Sequence, residues 1–239
     1  MKQGFVKVAS ATPRIRVADP VYNAQVICEQ AKEAAEHGAK IVVFPELCIT
    51  GYTCNDLFLQ ELLLEKAKEA LLTIAEETGQ LETLFLVGLP VDKDGRLYNV
   101  AAVLYRGRIL GMIPKKNIPM YAEFYEGRHF TPGEETVTEY RLGKQVIPFG
   151  SNLLFRCEEL PELILGCELC EDLWVAEPPS TSHALMGATV IANLSASNET
   201  VSKDDYRTLL IKASSARLLC GYIYTSALSL IHISEPTRP

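Results

Sequence analysis

Apolar positions along the chain fall into two rhythms, and their alternation predicts the elements. Between Asp19 and Gly38 the residues Ala24, Ile27, Cys28, Ala31, Ala34 and Ala35 recur at helical spacing. Asp19-Pro20 supplies a cap and a first-turn proline, and Gly38 a stop. On either side stand β-like runs, Phe5 to Ala9 and Ile41-Val42-Val43-Phe44, the second wholly apolar, as in a strand covered on both faces. A second helix is predicted from Leu59 to Thr78, with Leu59, Leu62, Leu63, Ala67, Ala70, Leu71 and Ile74 on one face and Gly79 after it.

Leu84 to Leu89 reads as the next strand, and two tight turns follow, Asp92-Lys93-Asp94-Gly95 and Arg106-Gly107-Arg108. The second turn joins Leu97–Tyr105 to Ile109–Ile113, so hairpins occur beside crossovers and a mixed sheet is expected. A polar, aromatic loop spans Lys115 to Gly133, with short strands around Gln145 to Phe155 and Leu163 to Leu169. Pro178-Pro179-Ser180 opens a short helix ended by Gly187, and Thr189 to Leu194 is another buried strand. Ser202 to Cys220 reads as a helix with a capping-box-like Ser202 and Asp205, closed by Gly221 before a strand over Tyr222 to Ser226. Leu228 to Pro239 (LSLIHISEPTRP) extends neither rhythm and reads as a translated sequencing adapter, a non-native tail excluded from the fold.

Composition narrows the class. With 23 Lys+Arg against 30 Asp+Glu the net charge is −7, which disfavours a nucleic-acid or anionic-membrane partner. No apolar run approaches the roughly 20 residues of a membrane span, and the amino-terminal residues lack a signal-peptide pattern, so a cytoplasmic protein is expected. The seven cysteines are odd in number and scattered in apolar surroundings, which suits reduced thiols. The four histidines, His37, His129, His183 and His232, have no zinc-site spacing, and no metal is expected. Neither a phosphate-binding loop nor a GxGxxG after the first strand is present.

Three reactive residues share one kind of position, each following a predicted strand: Glu46 after IVVFP, Lys115 after ILGMIP and Cys170 after LILGCEL. A thiol nucleophile needs a base for its proton and a cation for the developing oxyanion, and these three residues supply all three roles. Each also has a plain structural reading, as a turn residue, a solvated charge and a core thiol.

Four stretches separate these readings: FPELCITGYTCNDLF (44–58), PKKNIPMYAEFYEGRHFTPG (114–133), CELCEDLWVAEPPS (167–180) and ANLSASNETVSKDDYR (192–207). In this order they resemble the nitrilase superfamily of carbon–nitrogen hydrolases, and within it the amino-terminal glutaminase domains of glutamine-dependent NAD+ synthetases. The resemblance runs from residue 4 to residue 227. It implies an α/β fold of nitrilase type, an α-β-β-α sandwich of two mixed sheets. It also implies that Cys170 is the nucleophile, Glu46 the general base, Lys115 the oxyanion-stabilising cation and Glu126 a second glutamate positioning the lysine. Tyr121, Glu171 and Ser197 fall where the family lines its glutamine pocket, and Tyr52 is a wall residue. Glutamine would form a γ-glutamyl thioester on Cys170 and leave as glutamate and ammonia, with no cofactor. A synthetase domain, absent from this chain, would then use the ammonia with ATP and magnesium to amidate deamido-NAD+. A homo-oligomer is also implied.

The resemblance ends within Tyr222–Ala227, so an incomplete domain over residues 1–227 with an open sheet edge is expected. Three rival readings stand beside this one. Cys167-x-x-Cys170 matches a redox pair, although residues i and i+3 of a strand face opposite ways. Another amidase or carbamoylase of the nitrilase branch would carry the same three residues, and an α/β scaffold without catalysis would serve only assembly. Alkylation discriminates, since a catalytic thiol outreacts six ordinary ones.

Overall fold

The computed structural model describes residues 4–227; the segment read as a non-native tail lies outside them. The elements, in chain order, are β1 (Val8–Ser10), α1 (Pro20–Glu36), β2 (Ile41–Val43), α2 (Glu61–Glu77), β3 (Leu84–Lys93), β4 (Arg96–Tyr105), β5 (Arg108–Pro114), β6 (Thr138–Leu142), β7 (Gln145–Phe149), β8 (Phe155–Arg156), β9 (Ile164–Leu169), α3 (Pro179–Leu185), β10 (Val190–Ser195), α4 (Lys203–Leu218) and β11 (Gly221–Ser226).

The strands form two mixed sheets. Seven lie in the order β1-β2-β3-β4-β5-β7-β6 and four in the order β11-β10-β9-β8. Strands β1, β2 and β3 are parallel, β3, β4 and β5 antiparallel, and β9, β10 and β11 parallel. Period-two alternation divides the large sheet's side chains between two cores. Val42, Phe85, Val87, Leu89, Val100, Ala102 and Leu104 pack beneath α1 and α2. Their neighbours Val43, Leu86, Ala101 and Val103 meet Leu165, Cys167, Leu169, Ala192, Leu194 and Ile223 of the small sheet. Ala188, Ile191 and Cys220, packed with Ala184 and Leu218, cover the small sheet's outer face. The layers therefore run helix, sheet, sheet, helix.

Local chemistry explains most boundaries. Asp19 accepts the Tyr22 N–H at 3.1 Å and Pro20 begins α1, as its sequence signals require. The hairpins β3–β4 and β4–β5 close through Asp94-Gly95 and Arg106-Gly107, each residue at positive φ, the backbone of two-residue turns that match strand twist. Several details differ from the sequence reading, beginning with β1, which runs over Val8–Ser10 rather than Phe5–Ala9 and leaves Phe5 exposed. Leu59 and Leu62 are exposed, because the buried stripe of α2 runs through Leu63, Ala67, Ala70, Leu71, Ile74 and Ala75. Ser202 takes a left-handed φ of 68° and makes no side-chain cap. Leu219, not Gly221, ends α4 in the left-handed region, and Gly221 starts β11. Strand β6 escapes the pattern because TEYRL carries Glu139 and Arg141 in a run of five and pairs only as a hairpin with β7. No helix among the described residues is long and apolar enough to cross a membrane.

Candidate active site

The site lies at the seam of the two sheets, where several strands end on the same side. Glu46 is the third residue after β2, Lys115 follows β5 directly, and Cys170 follows β9 directly. Two close approaches hold these turns. The Glu46 N–H donates to Ser195 O of β10 at 3.3 Å, and Ile49 N–H to Gly88 O of β3 at 3.1 Å, which pins the turn to both sheets. A Cβ on Gly88 would stand 2.6 Å from Pro45 O and 2.8 Å from the Glu46 carbonyl carbon, so this strand position must be glycine. Gly133 N–H donates to Lys115 O at 2.7 Å, and a Cβ there would meet Pro114 at the same distance. Cys170 sits at φ 42°, a costly backbone for a residue with a side chain and one that concentrates at functional turns.

Lys115 is wholly buried, and its Nζ donates to Glu46 Oε1 at 2.7 Å and to Glu126 Oε1 at 2.6 Å. The sequence-predicted Glu46, Lys115 and Glu126 thus form one ion cluster, which needs this mutual pairing to survive burial. Tyr52 donates its hydroxyl to Glu126 Oε1 at 2.7 Å and so joins the cluster through its second glutamate. Cys170 is 4% exposed, and the charges of Glu46, Lys115 and Glu126 all act on its thiol, as does the Ala196 backbone N–H.

Burial is the largest influence on each member. It pushes the Cys170 thiol up, and the Glu46 charge adds to this while Lys115 opposes it. It raises Glu46 to about 7, with Lys115 opposing and Glu126 reinforcing. Burial lowers Lys115, but the two glutamates outweigh it and hold the ammonium well above its ordinary value. The resting cluster is therefore a neutral thiol beside a carboxyl that titrates near neutrality and a permanent cation.

The residues expected to line the pocket make contacts of their own. Tyr121 donates its hydroxyl to Glu171 Oε2 at 2.8 Å, and its ring meets Phe124 edge-on at 5.7 Å. Ser197 is buried, and its N–H donates to Ser226 Oγ at 3.2 Å. Trp174 stacks at a tilt on Tyr206, with Lys203 Nζ 5.2 Å from its ring. Cys167 is buried between the sheets, and all the described cysteines are free thiols. Among the described residues no cluster of His, Cys, Asp and Glu is arranged to hold a metal ion.

Two residues that sequence reasoning missed belong to the frame. Asn99 of β4 donates to Glu46 Oε1 at 2.7 Å, and its carbonyl accepts the Lys115 N–H at 2.8 Å. Asp172 accepts from Leu169 N at 3.0 Å and from both Asn117 N and Nδ2 at 2.8 Å, tying the cysteine turn to the lysine loop. A lone polar residue opening the apolar run of β4 was the available signal for Asn99. Asp172 stood inside the CEDLW stretch without a visible partner.

A two-sheet sandwich that gathers a glutamate, a lysine and a cysteine at one seam defines a class, the amide- and nitrile-cleaving hydrolases. The chain belongs to the carbon-nitrogen hydrolase family, whose model matches residues 7–226. It is 41% identical over 226 residues to a glutamine-dependent NAD(+) synthetase of Mycobacterium tuberculosis, covering 95% of this chain and 33% of that protein. The corresponding protein of Thermotoga maritima is 34% identical over 204 residues, covering 85% and 32%. The chain thus spans about a third of the length of these curated relatives. Among solved structures, a glutamine-dependent NAD(+) synthetase from Cytophaga hutchinsonii superposes with a TM-score of 0.83 at 29% identity, covering 93% of this chain and 36% of that one. An amidase from a Nesterenkonia species, at 20% identity and a TM-score of 0.70, covers 93% and 76% and shares the fold.

Proposed function

We propose that this domain hydrolyses the side-chain amide of glutamine and serves as the ammonia-producing part of a glutamine-dependent NAD+ synthetase. The observation that carries the chemistry is the buried Lys115, bonded at once to Glu46 and Glu126 beside a cysteine at positive φ. The relatives' names support the substrate, and the Tyr121–Glu171 pair and Ser197 supply polar groups for an amino-acid ligand.

Glu46 takes the Cys170 proton as sulfur attacks the amide carbon, and the Lys115 ammonium faces the oxyanion that forms. The C–N bond breaks as Glu46 returns the proton to the leaving nitrogen, which departs as ammonia. A γ-glutamyl thioester remains on Cys170. Glu46 then deprotonates a water that attacks the thioester, the C–S bond breaks, and the sulfur recovers a proton as glutamate leaves. Hydrolysis requires no cofactor in this reading. ATP and magnesium would serve the amidation of deamido-NAD+, in the part of the relatives' length that this chain does not match. The free thiols suit a cytoplasmic setting, and exposed Leu185 on α3 and Leu209 on α4 support self-association.

The test is release of ammonia and glutamate from glutamine by the chain and by Cys170→Ala, with asparagine and a simple nitrile as competitors. Release from glutamine alone, lost in Cys170→Ala, is expected. A chain folded by circular dichroism that prefers the nitrile or asparagine would place it with another amidase of the family, and a folded chain inert to all three would sink the assignment.

A further inference from the structure

Asn99 is wholly buried at the start of the apolar half of β4, where a polar side chain with an unpaired atom calls for an explanation. Its backbone carbonyl accepts the Lys115 N–H at 2.8 Å, while its side-chain Oδ1 is buried without a partner, so the amide works through its NH2 group alone. Its Nδ2 lies 2.7 Å from Glu46 Oε1 and 3.4 Å from Glu126 Oε2, so one NH2 group spends its two hydrogens on two carboxylates.

The four carboxylate oxygens are then unequal. Glu126 Oε1 accepts from Lys115 and Tyr52, and Glu126 Oε2 from Asn99. Glu46 Oε1 accepts from Lys115 and Asn99. Glu46 Oε2 is buried and accepts from nothing. We propose that Asn99 is a positioning residue for the general base: it clamps Glu46 Oε1 and Glu126 Oε2, so that Glu46 Oε2 alone is free to take the thiol proton. A donor amide between two carboxylates also prevents them from sharing a proton, as two carboxyls in direct contact do. The inference rests on the reading of Glu46 as base and Cys170 as nucleophile.

The charged and titratable groups facing Glu46 are Lys115 from the end of β5, Glu126 from the turn Glu126–Arg128, Cys170 from the turn after β9 and Tyr52 from the helical turn Tyr52–Leu59. Asn99 favours the Glu46 carboxylate, so removing its donor moves the pH at which the base becomes active upward. A hydrogen bond to a charged group corresponds to a shift of about one to two pH units.

The measurement is the pH dependence of Cys170 alkylation by iodoacetamide, read by mass spectrometry on the 239-residue chain, beside glutamine hydrolysis. Asn99→Asp keeps the shape and replaces the donor with an acceptor; Asn99→Ser keeps a shorter donor; Glu46→Gln marks loss of the base. In Asn99→Asp the acid limb is expected to move up by about one unit or more, with kcat at pH 7 down roughly tenfold and KM for glutamine within about twofold. Asn99→Ser is expected to move the limb less. An unshifted limb in a folded Asn99→Asp overturns the proposal, and so does an unshifted limb in Asn99→Ser should the aspartate variant fail to fold. Alkylation with the same pH dependence in Glu46→Gln as in the unaltered chain overturns the base assignment and this proposal with it. The shift without any glutamine hydrolysis supports the Asn99 role and sinks only the choice of substrate.

Discussion

Burial of Lys115, Glu46 and Cys170 gives each residue the state its proposed role requires. A lysine in this setting without carboxylates would shed its proton; between Glu46 and Glu126 it keeps it over the whole working range. The thiol is pushed up and stays protonated, so in the proposed mechanism attack depends on Glu46 accepting the proton during the step. Hydrolysis is therefore expected to rise with pH through about 7, where Glu46 loses its proton, and then hold a plateau through pH 9, because neither Lys115 nor Cys170 titrates there. A kcat/KM profile checks this, and an optimum below pH 6 would contradict it. Gly88 acts at the same scale. Gly88→Ala would press a methyl group into the Pro45–Glu46 backbone, at a stability cost of about 1–3 kcal/mol for overpacking. It should also reduce kcat by roughly tenfold or more by displacing the base. Unchanged kcat in that variant would show that the turn adjusts without moving Glu46.

Elements whose signals are local were legible in the sequence, and those fixed by partners were not. Asp19-Pro20, Asp94-Gly95 and Arg106-Gly107 each carry their own geometry, and α1 and both hairpins stand where these predict. Glu46, Lys115 and Cys170 were visible as reactive residues after apolar runs, since strand ends are marked in the chain itself. Leu59 and Leu62 misled because the rotation of α2 is set by what it packs on, and β6 was hidden because a polar hairpin strand needs only its partner β7. Asn99 and Asp172 work through residues distant in sequence. Asp172 joins the turn after β9 to the loop after β5 across a separation of 55 residues. Asp172→Asn should turn one acceptor into a donor facing the Leu169 N–H, at a cost of about 1–3 kcal/mol. Chemical denaturation would show that loss, and glutamine hydrolysis should fall with it because the cysteine turn and lysine loop lose their tie; full activity would detach Asp172 from the site.

The whole molecule inherits a pH dependence from the acids buried at this seam. Burial raises Glu46 to about 7, Asp172 to about 6, and Glu168 as well. A carboxyl raised on folding binds its proton more tightly in the folded chain, so its contribution to stability is complete below the unfolded value near pH 4 and is lost as pH rises through 6 to 7. For Glu46 and Asp172 the shifts correspond to about 3 kcal/mol each. Asp56, Glu77 and Glu135, held low by Arg128, Lys32 and Lys116, work in the opposite sense, but they are exposed and screened by solvent. The melting temperature should therefore fall between pH 5 and pH 8. Glu46→Gln keeps an oxygen for Lys115 and Asn99 to bond and removes the ionisation, and Lys115 retains Glu126 as its counter-charge. That variant should lose hydrolysis and yet melt higher than the unaltered chain at pH 8, with the difference vanishing at pH 5. Thermal melts at the two pH values decide it: a variant less stable at pH 8 would mean that the ion pair to Lys115 outweighs the burial of the Glu46 charge, whereas the expected gain at pH 8 alone would show a site that gives up stability to keep a base ready at neutral pH.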